Sequence, residues 1–482
     1  MKRFLTLLLI LCVLVSLVAC GKEVKKPNDV TTDNPNTDDV TQDKNAEYLA
    51  NVPVRDYGNQ MFRILITTAY DDDFYDITTE GEMDPIQAAA FSRNTMVEDR
   101  YNIAFEFTAM DGNSSGSAEF ATTIRNNAKL DAPFDLILGQ AYYCMPLAVE
   151  GFLANMAESE YLHFEQDWYL HSIIDDATIN NKIYGACGDF VVNSIGCTMG
   201  LFFNTRMKDA LGIEKNLYDL VRNKEWTLDV FEGMVKDVYS DQNYNYYADE
   251  NDRYGLVGPR QTVSCLFTAT ENELISRDND GVFSIDNYYN EHLISTYENL
   301  VKFINSEDVT INAANKYVLD VFTNGNSLFM AANIQTLLAE EARSCSFIGI
   351  VPFPLYDLAQ TEYHSGTQRS EMFYIPVNVD FERSCIISES LNYQSYEVFM
   401  PTYWNTTLQA KVLERPDDAE MLRLIRETSS FGFVEIWEGF FTGTYNFAYQ
   451  GVLNNSPSIS SQWKTNKDVL KEDLEILIDK FF

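Results

Sequence analysis

Basic residues are scarce in this chain. Lys and Arg number 35 against 72 Asp and Glu, a formal net charge of −37 over 482 residues. That balance argues against nucleic acid as a partner, because displacing counterions from phosphates takes a basic surface. It argues equally against a folded body that lies on anionic lipid. The simplest role for such a charge is solubility.

Histidine is rarer still. His163, His171, His292 and His364 are too scattered for an H-E-x-x-H helix or a zinc triad. Of eight cysteines, Cys12 and Cys20 fall near the start. The other six (Cys144, Cys187, Cys197, Cys265, Cys345, Cys385) show no C-x-x-C spacing, which removes the common zinc-ribbon and thioredoxin patterns. Buried free thiols are expected, with a bridge such as Cys187–Cys197 left open for an exported protein. P-loop and dinucleotide fingerprints are missing where a strand meets a helix. Gly112-Asn-Ser-Ser-Gly116 fits G-x-S-x-G by letter, but it lies in a polar loop without the strand–helix elbow that chemistry needs. No nucleophile or metal-based catalyst is therefore expected. A carboxylate pair stays open, since so many acidic residues always offer one.

What is present begins with a targeting segment. Lys2 and Arg3 form a positive n-region and Phe4 to Val18 an apolar h-region. Leu17-Val18-Ala19-Cys20-Gly21 resembles the bacterial lipobox, which implies a lipid on Cys20 and cleavage before it; the alternative is an uncleaved membrane anchor. Gly21 to Glu47 is polar and almost free of apolar residues, as expected of a disordered tether.

Beyond Tyr48 strands and helices alternate. Phe62–Ile66 reads as a strand and is followed by Thr67-Thr68-Ala69-Tyr70 and the acidic Asp71–Asp73. Pro85 suits the first turn of a helix whose apolar positions are Ile86, Ala89, Ala90, Met96 and Val97. Phe134–Leu138 reads as another strand, with Gly139 to Tyr143 at its carboxyl end. This alternation implies an α/β fold with a mostly parallel sheet. Ligands of such sheets sit beyond the carboxyl ends of the strands, so Tyr70, Asp72, Gln140 and Tyr142 are candidate contacts. Met199-Gly-Leu-Phe-Phe203 is a short apolar run suited to a buried strand. Asn204 is placed to cap the helix after it and Gly212 to stop that helix. Thr227 is placed to cap a longer helix carrying Val230, Phe231, Met234, Val235 and Val238, with Trp226 expected in the core.

This succession of strand, "FN", short helix, "LG" and then "LYDLV..KEWTLD" resembles the family 1 extracellular solute-binding proteins of bacterial ABC importers. Ser92–Phe107, Gly151–Met156, Asp167-Trp168-Tyr169, Asn324–Met330 and Phe347–Pro354 match the family's pattern in order. The resemblance implies a two-lobe periplasmic-binding-protein-like fold with a hinge and an interlobe cleft. It divides the chain into a signal peptide (1–20), a tether (21–47), a first lobe (48–198), a second lobe (199–346), a return crossing and further first lobe (347–400), and a final second-lobe part (401–482). Trp168 then becomes a candidate stacking platform for a sugar ring and equally a packing residue. Asp189 is its polar counterpart or a turn former, and Arg369, Trp404 and Trp437 lie in stretches placed to line the cleft.

After the Trp226 helix, Asp241, Asn243, Asn245, Tyr247, Asp249 and Asp252 fall at the positions of a calcium loop, the Tyr247 carbonyl included. Tyr246 stands where such loops need glycine and Asp252 where they carry a longer Glu, which favours a solvated acidic loop over calcium. No other cofactor is expected. The leading expectation is a monomeric, lipid-anchored extracytoplasmic receptor that binds a solute, an oligosaccharide first of all, and hands it to ABC permease subunits. A surface glycoside hydrolase with an Asp/Glu pair is the alternative, and a sensor or adhesin without transport a third reading.

Overall fold

The computed structural model describes residues 52–68, 75–77, 83–112, 115–278, 281–312, 314–367, 371–409 and 415–481. The signal segment with Cys20, the tether, and Tyr70, Asp72 and Arg369 lie outside them. Pro53–Phe482 forms one compact unit built on two sheets.

Nine strands make the two sheets: β1 (Gln60–Thr67), β2 (Ile103–Met110), β3 (Leu136–Gln140), β4 (Met199–Asn204), β5 (Tyr254–Gly258), β6 (Val309–Ile311), β7 (Ser327–Asn333), β8 (Ile348–Val351) and β9 (Glu371–Tyr374). The first sheet has the order β9-β3-β1-β2, in which β1 runs parallel to β2 and β3 while β9 is antiparallel. The second has the order β8-β4-β7-β5-β6, with β5 parallel to both neighbours. The central strands β4, β5 and β7 of the second sheet are buried on both faces, as strands with helices on each side are. All six residues of β4 are buried.

Seven helices matter to the site: α1 (Pro85–Tyr101), α2 (Ala141–Val149), α3 (His171–Ala177), α4 (Gln261–Ala269), α5 (Pro416–Glu427), α6 (Phe433–Ile436) and α7 (Phe447–Leu453). Helix α1 starts where its local chemistry demands. The Asp84 carboxylate accepts from the Gln87 N–H at 2.9 Å, and the Gln87 side chain accepts back from the Asp84 N–H at 3.1 Å. This capping box satisfies two of the end's orphan donors, and Pro85 needs none. Ile86, Ala89, Ala90 and Val97 face the core as their spacing requires, whereas Met96 is 46% exposed. Arg93 takes a core position instead, its guanidinium over the rings of Phe190 and Phe399. At the end of β4 Asn204 accepts from the Met207 N–H, and Gly212, at φ +70°, follows the end of that short helix. Thr227 occupies the N-cap position of Leu228–Val235 without a side-chain capping bond, and Val238 lies beyond the helix. Trp226 is buried and donates its indole N–H to the Pro352 carbonyl at 2.9 Å.

The crossings differ from expectation in one respect. Ile348–Val351 is still a strand of the second sheet, pairing with β4 because its unbroken apolar run has a buried edge to fill. The chain re-enters the first sheet only at β9. On the way, Thr367 forms an antiparallel bridge to Thr198, and Ser365–Gly366 pairs in parallel with Ser429–Ser430. The last part of the chain also divides its packing: α5 lies on β8 and α7 on α4, while α6 packs against α2 and α3 of the first lobe. Among the described residues no helix is long and apolar enough to cross a membrane.

Candidate functional site

Where these crossings meet, a cavity of about 300 Å³ opens. One wall is α4, which follows β5 and presents Gln261, Ser264, Phe267 and Thr268 at helical spacing. Helix α4 thus leads away from the carboxyl end of β5, the usual side for ligands in such sheets. The opposite wall is the stretch Gly432–Tyr449, held against the first lobe through α6. Thr367 of the crossing closes one end.

The lining combines ring faces with carboxylates. Phe267, Tyr288, Phe433, Tyr445 and Tyr449 contribute the rings, and Phe433 is fixed from behind by Phe283 at 4.5 Å and Trp437 at 6.3 Å between centroids. Glu273, Glu435 and Glu438 contribute the charges. The Glu435 side chain lines the cavity and is exposed to it. Its carboxyl is pushed up to about 8, by burial first and then by the charges of Glu438, Asp176 and Glu273, against the pull of its own backbone N–H. Burial, with the charge of Asp176 second, also raises Glu273. Asp176 is raised by burial although Ser430 Oγ and the Gly432 N–H donate to it at 2.8 and 3.0 Å. Glu438 accepts from the Tyr445 hydroxyl, whose own proton is held more tightly by burial and that neighbour. A second chamber of about 360 Å³ shares Asn272, Glu273 and Tyr288 with the first and is also lined by Glu271, His292 and His364. Ring faces can cover the C–H side of a sugar, and carboxylates and amides can accept from its hydroxyls.

None of the described residues singled out from sequence lines this cavity, though two border it. Tyr142, on α2, hydrogen-bonds Ser117 and feels the charge of Glu438, and its carbonyl lies against Gly439. Trp437 backs Phe433 and is itself fully buried against Phe481 at 5.3 Å. Trp168 is also fully buried, with Tyr393 at 5.3 Å and Tyr396 at 6.1 Å covering it, so here it packs and offers no open face. Asp189 lies beside it, its N–H donating to the Trp168 carbonyl, and its charge is spent on Arg426. Gln140 is the buried last residue of β3, opposite Glu371 in register. Trp404 is half-buried beside Tyr403 on the helix Met400–Gln409, which packs on α1.

The acidic loop does not fit calcium. Asp252 is buried and accepts from the Gln242 and Asp249 N–H groups and the Tyr239 hydroxyl. Asp249 takes the Asn243 and Asn245 side-chain amides, and Asp241 takes the Tyr246 N–H. Of the oxygens expected to converge on an ion, those of Asn243, Asn245, Asp249 and Asp252 and Oδ2 of Asp241 accept from donors in and beside the loop instead. Among the described residues no cluster of three His, Cys, Asp or Glu is placed to hold a metal. The six cysteines after Cys20 are all buried thiols outside any disulfide, Cys187 and Cys197 included.

Missed from sequence were Phe267, Glu273, Tyr288, Phe433, Glu435, Glu438, Tyr445 and Tyr449. A signal existed in Phe431-Gly-Phe-Val-Glu-Ile-Trp-Glu-Gly-Phe-Phe441, where rings, glycines and two Glu crowd one stretch.

No family model matches the sequence, and no curated protein does. Solved structures do match in fold. A cyclo/maltodextrin-binding protein complexed with maltotetraose superposes with TM-score 0.57 at 11% identity, covering 86% of this chain and 97% of that one. The maltose-binding periplasmic protein MalE from Listeria monocytogenes, in complex with maltose, gives 0.55 at 12% identity over 86% and 98%. The GacH receptor of Streptomyces glaucescens gives 0.54 at 13% identity over 85% and 99%. With the two sheets, the crossings and these superpositions together, the chain has the two-lobe α/β fold of maltose- and maltodextrin-binding proteins.

Proposed function

We propose that this protein is an extracytoplasmic solute receptor, anchored by a lipid on Cys20, that captures an oligosaccharide in the cavity at the crossings and delivers it to an ABC permease. The observation that carries the reading is the aromatic-walled, carboxylate-bearing cavity between α4 and α6. The likeness in fold to proteins solved with maltose and maltotetraose supports the cargo class. The N-terminal apolar segment ending in Ala19-Cys20-Gly21 supports the anchor. Several crossings of the chain make a hinge, and closure is a population shift driven by the ligand's greater affinity for the closed form.

A thermal-shift screen of the protein against mono- and oligosaccharides tests it. A sugar at about 100 times its dissociation constant stabilises the folded state by roughly 2.7 kcal/mol. Recovery of that sugar intact supports a receptor. Its consumption supports the hydrolase reading, for which Glu435 is the observation in favour: a carboxyl still protonated near neutral pH is what a general acid requires. Mass spectrometry of the membrane-extracted protein that finds residues 1–19 still attached, or Cys20 without an acyl group, would refute the lipid anchor.

A further inference from the structure

The cavity holds three carboxylates and no lysine, arginine or histidine among its lining residues. Among the described residues none of Glu273, Glu435 and Glu438 forms an ion pair. Glu438 has the Tyr445 hydroxyl, and Glu435 has only its own backbone N–H. Arg277 and His364 act on Glu273 from outside this chamber, Arg277 with its guanidinium toward the Thr178 carbonyl and His364 against Glu271. Asp176 adds a fourth carboxyl behind Gly432. Crowded carboxyls hold their protons until a positive partner offsets them, and a neutral sugar supplies no such partner. Ring faces beside carboxylates are instead the usual surroundings of an organic cation.

We infer that the solute is an amine-bearing oligosaccharide, with a protonated amine seated between Glu435, Glu438 and Glu273 and the ring faces of Phe433 and Tyr445. The inference rests on the receptor reading and sharpens its substrate class. The adjoining second chamber, entered past Asn272 and Tyr288, gives room for a further sugar unit. Protonated amine and carboxylates neutralise one another without any change elsewhere in the lining.

Calorimetric titration of the full chain with four probes decides it: a glucosamine tetramer, its N-acetylated counterpart, maltotetraose and spermidine. Tight binding of the glucosamine tetramer, at least tenfold better than the N-acetylated form, is expected. Glu435→Gln and, separately, Glu273→Gln are expected to erase that preference while melting at or above the temperature of the unaltered protein. Equal affinity for the amine, N-acetyl and neutral sugars overturns the inference and leaves the sugar receptor standing. Binding of spermidine alone overturns the sugar reading and keeps the need for a cation. Binding of none of the four overturns both.

Discussion

Asp189 and Arg426 meet as a buried ion pair, 2.5 Å from carboxylate oxygen to guanidinium nitrogen, and tie the first crossing to helix α5 on the second sheet. Arg426 also donates to the Asp167 carbonyl at 3.2 Å. The pair thus joins the two lobes beside the crossing that a hinge must use. Removing Arg426 strands a buried carboxylate, a change that typically costs about 3–5 kcal/mol. Arg426→Met is expected to lower stability on that scale in urea unfolding. Asp189→Asn with Arg426→Met is expected to cost less than the sum of the single changes. Strict additivity would show that the pair is not coupled.

Glu435 makes the pH dependence of the ligand-free protein unusual. Its folded value, about 8, lies above the ordinary 4.5, so between those limits the folded state holds the proton more tightly. This group's contribution is fully present below the unfolded value and is lost as pH rises through about 8. This contribution is therefore expected to fall between about pH 4.5 and pH 8, and Glu435→Gln to flatten that part of the slope. Parallel slopes for the two proteins in urea titrations would remove the assignment.

Gly439 permits the contact between α2 and the far wall of the cavity. A Cβ there would fall 1.8 Å from the Tyr142 carbonyl oxygen and 3.0 Å from the Pro146 ring. Backbone cannot retreat as a flexible side chain can, so Gly439→Ala is expected to cost about 1–3 kcal/mol and to weaken sugar binding. Gly233→Ala is the matched control, in a helix with nothing within 4 Å of the added carbon, and is expected to be neutral or stabilising by up to about 1 kcal/mol. Equal melting temperatures for the two variants would refute the close contact.

The thiols give a simple check on burial. Cys144, Cys187, Cys197, Cys265, Cys345 and Cys385 are buried thiols outside any disulfide, and burial first, with nearby carboxylates adding to it, raises the Cys187 and Cys265 thiols, the latter to about 12. Native protein is expected to react slowly with a thiol reagent and the denatured chain to release all six of these thiols at once. A shortfall of two in the denatured, unreduced chain would reveal a disulfide.

Much of the fold was legible because it is written in short-range chemistry. Pro85 in the first turn of α1, the Asn204 cap, Gly212 at its left-handed position and the apolar run of β4 each depend on residues a few positions apart. The order of strands and helices followed from them, and so did the α/β class. The late return to the first sheet was hidden, because Ile348–Val351 has the same apolar character whichever sheet receives it.

What the amino-acid sequence determined by itself, then, is the set of elements, the acidic balance and the stock of rings and carboxylates. Which of those groups form the site was decided only in three dimensions. Trp168 and Phe433 are both aromatic residues in loosely patterned stretches. Trp168 is covered by Tyr393 and Tyr396, while Phe433 is packed on one side by Phe283 and Trp437 and faces the cavity with the other. Asp189 and Glu435 are both acidic, yet one meets Arg426 and the other meets like charges. Burial and charge pairing depend on neighbours far along the chain, which local pattern does not encode.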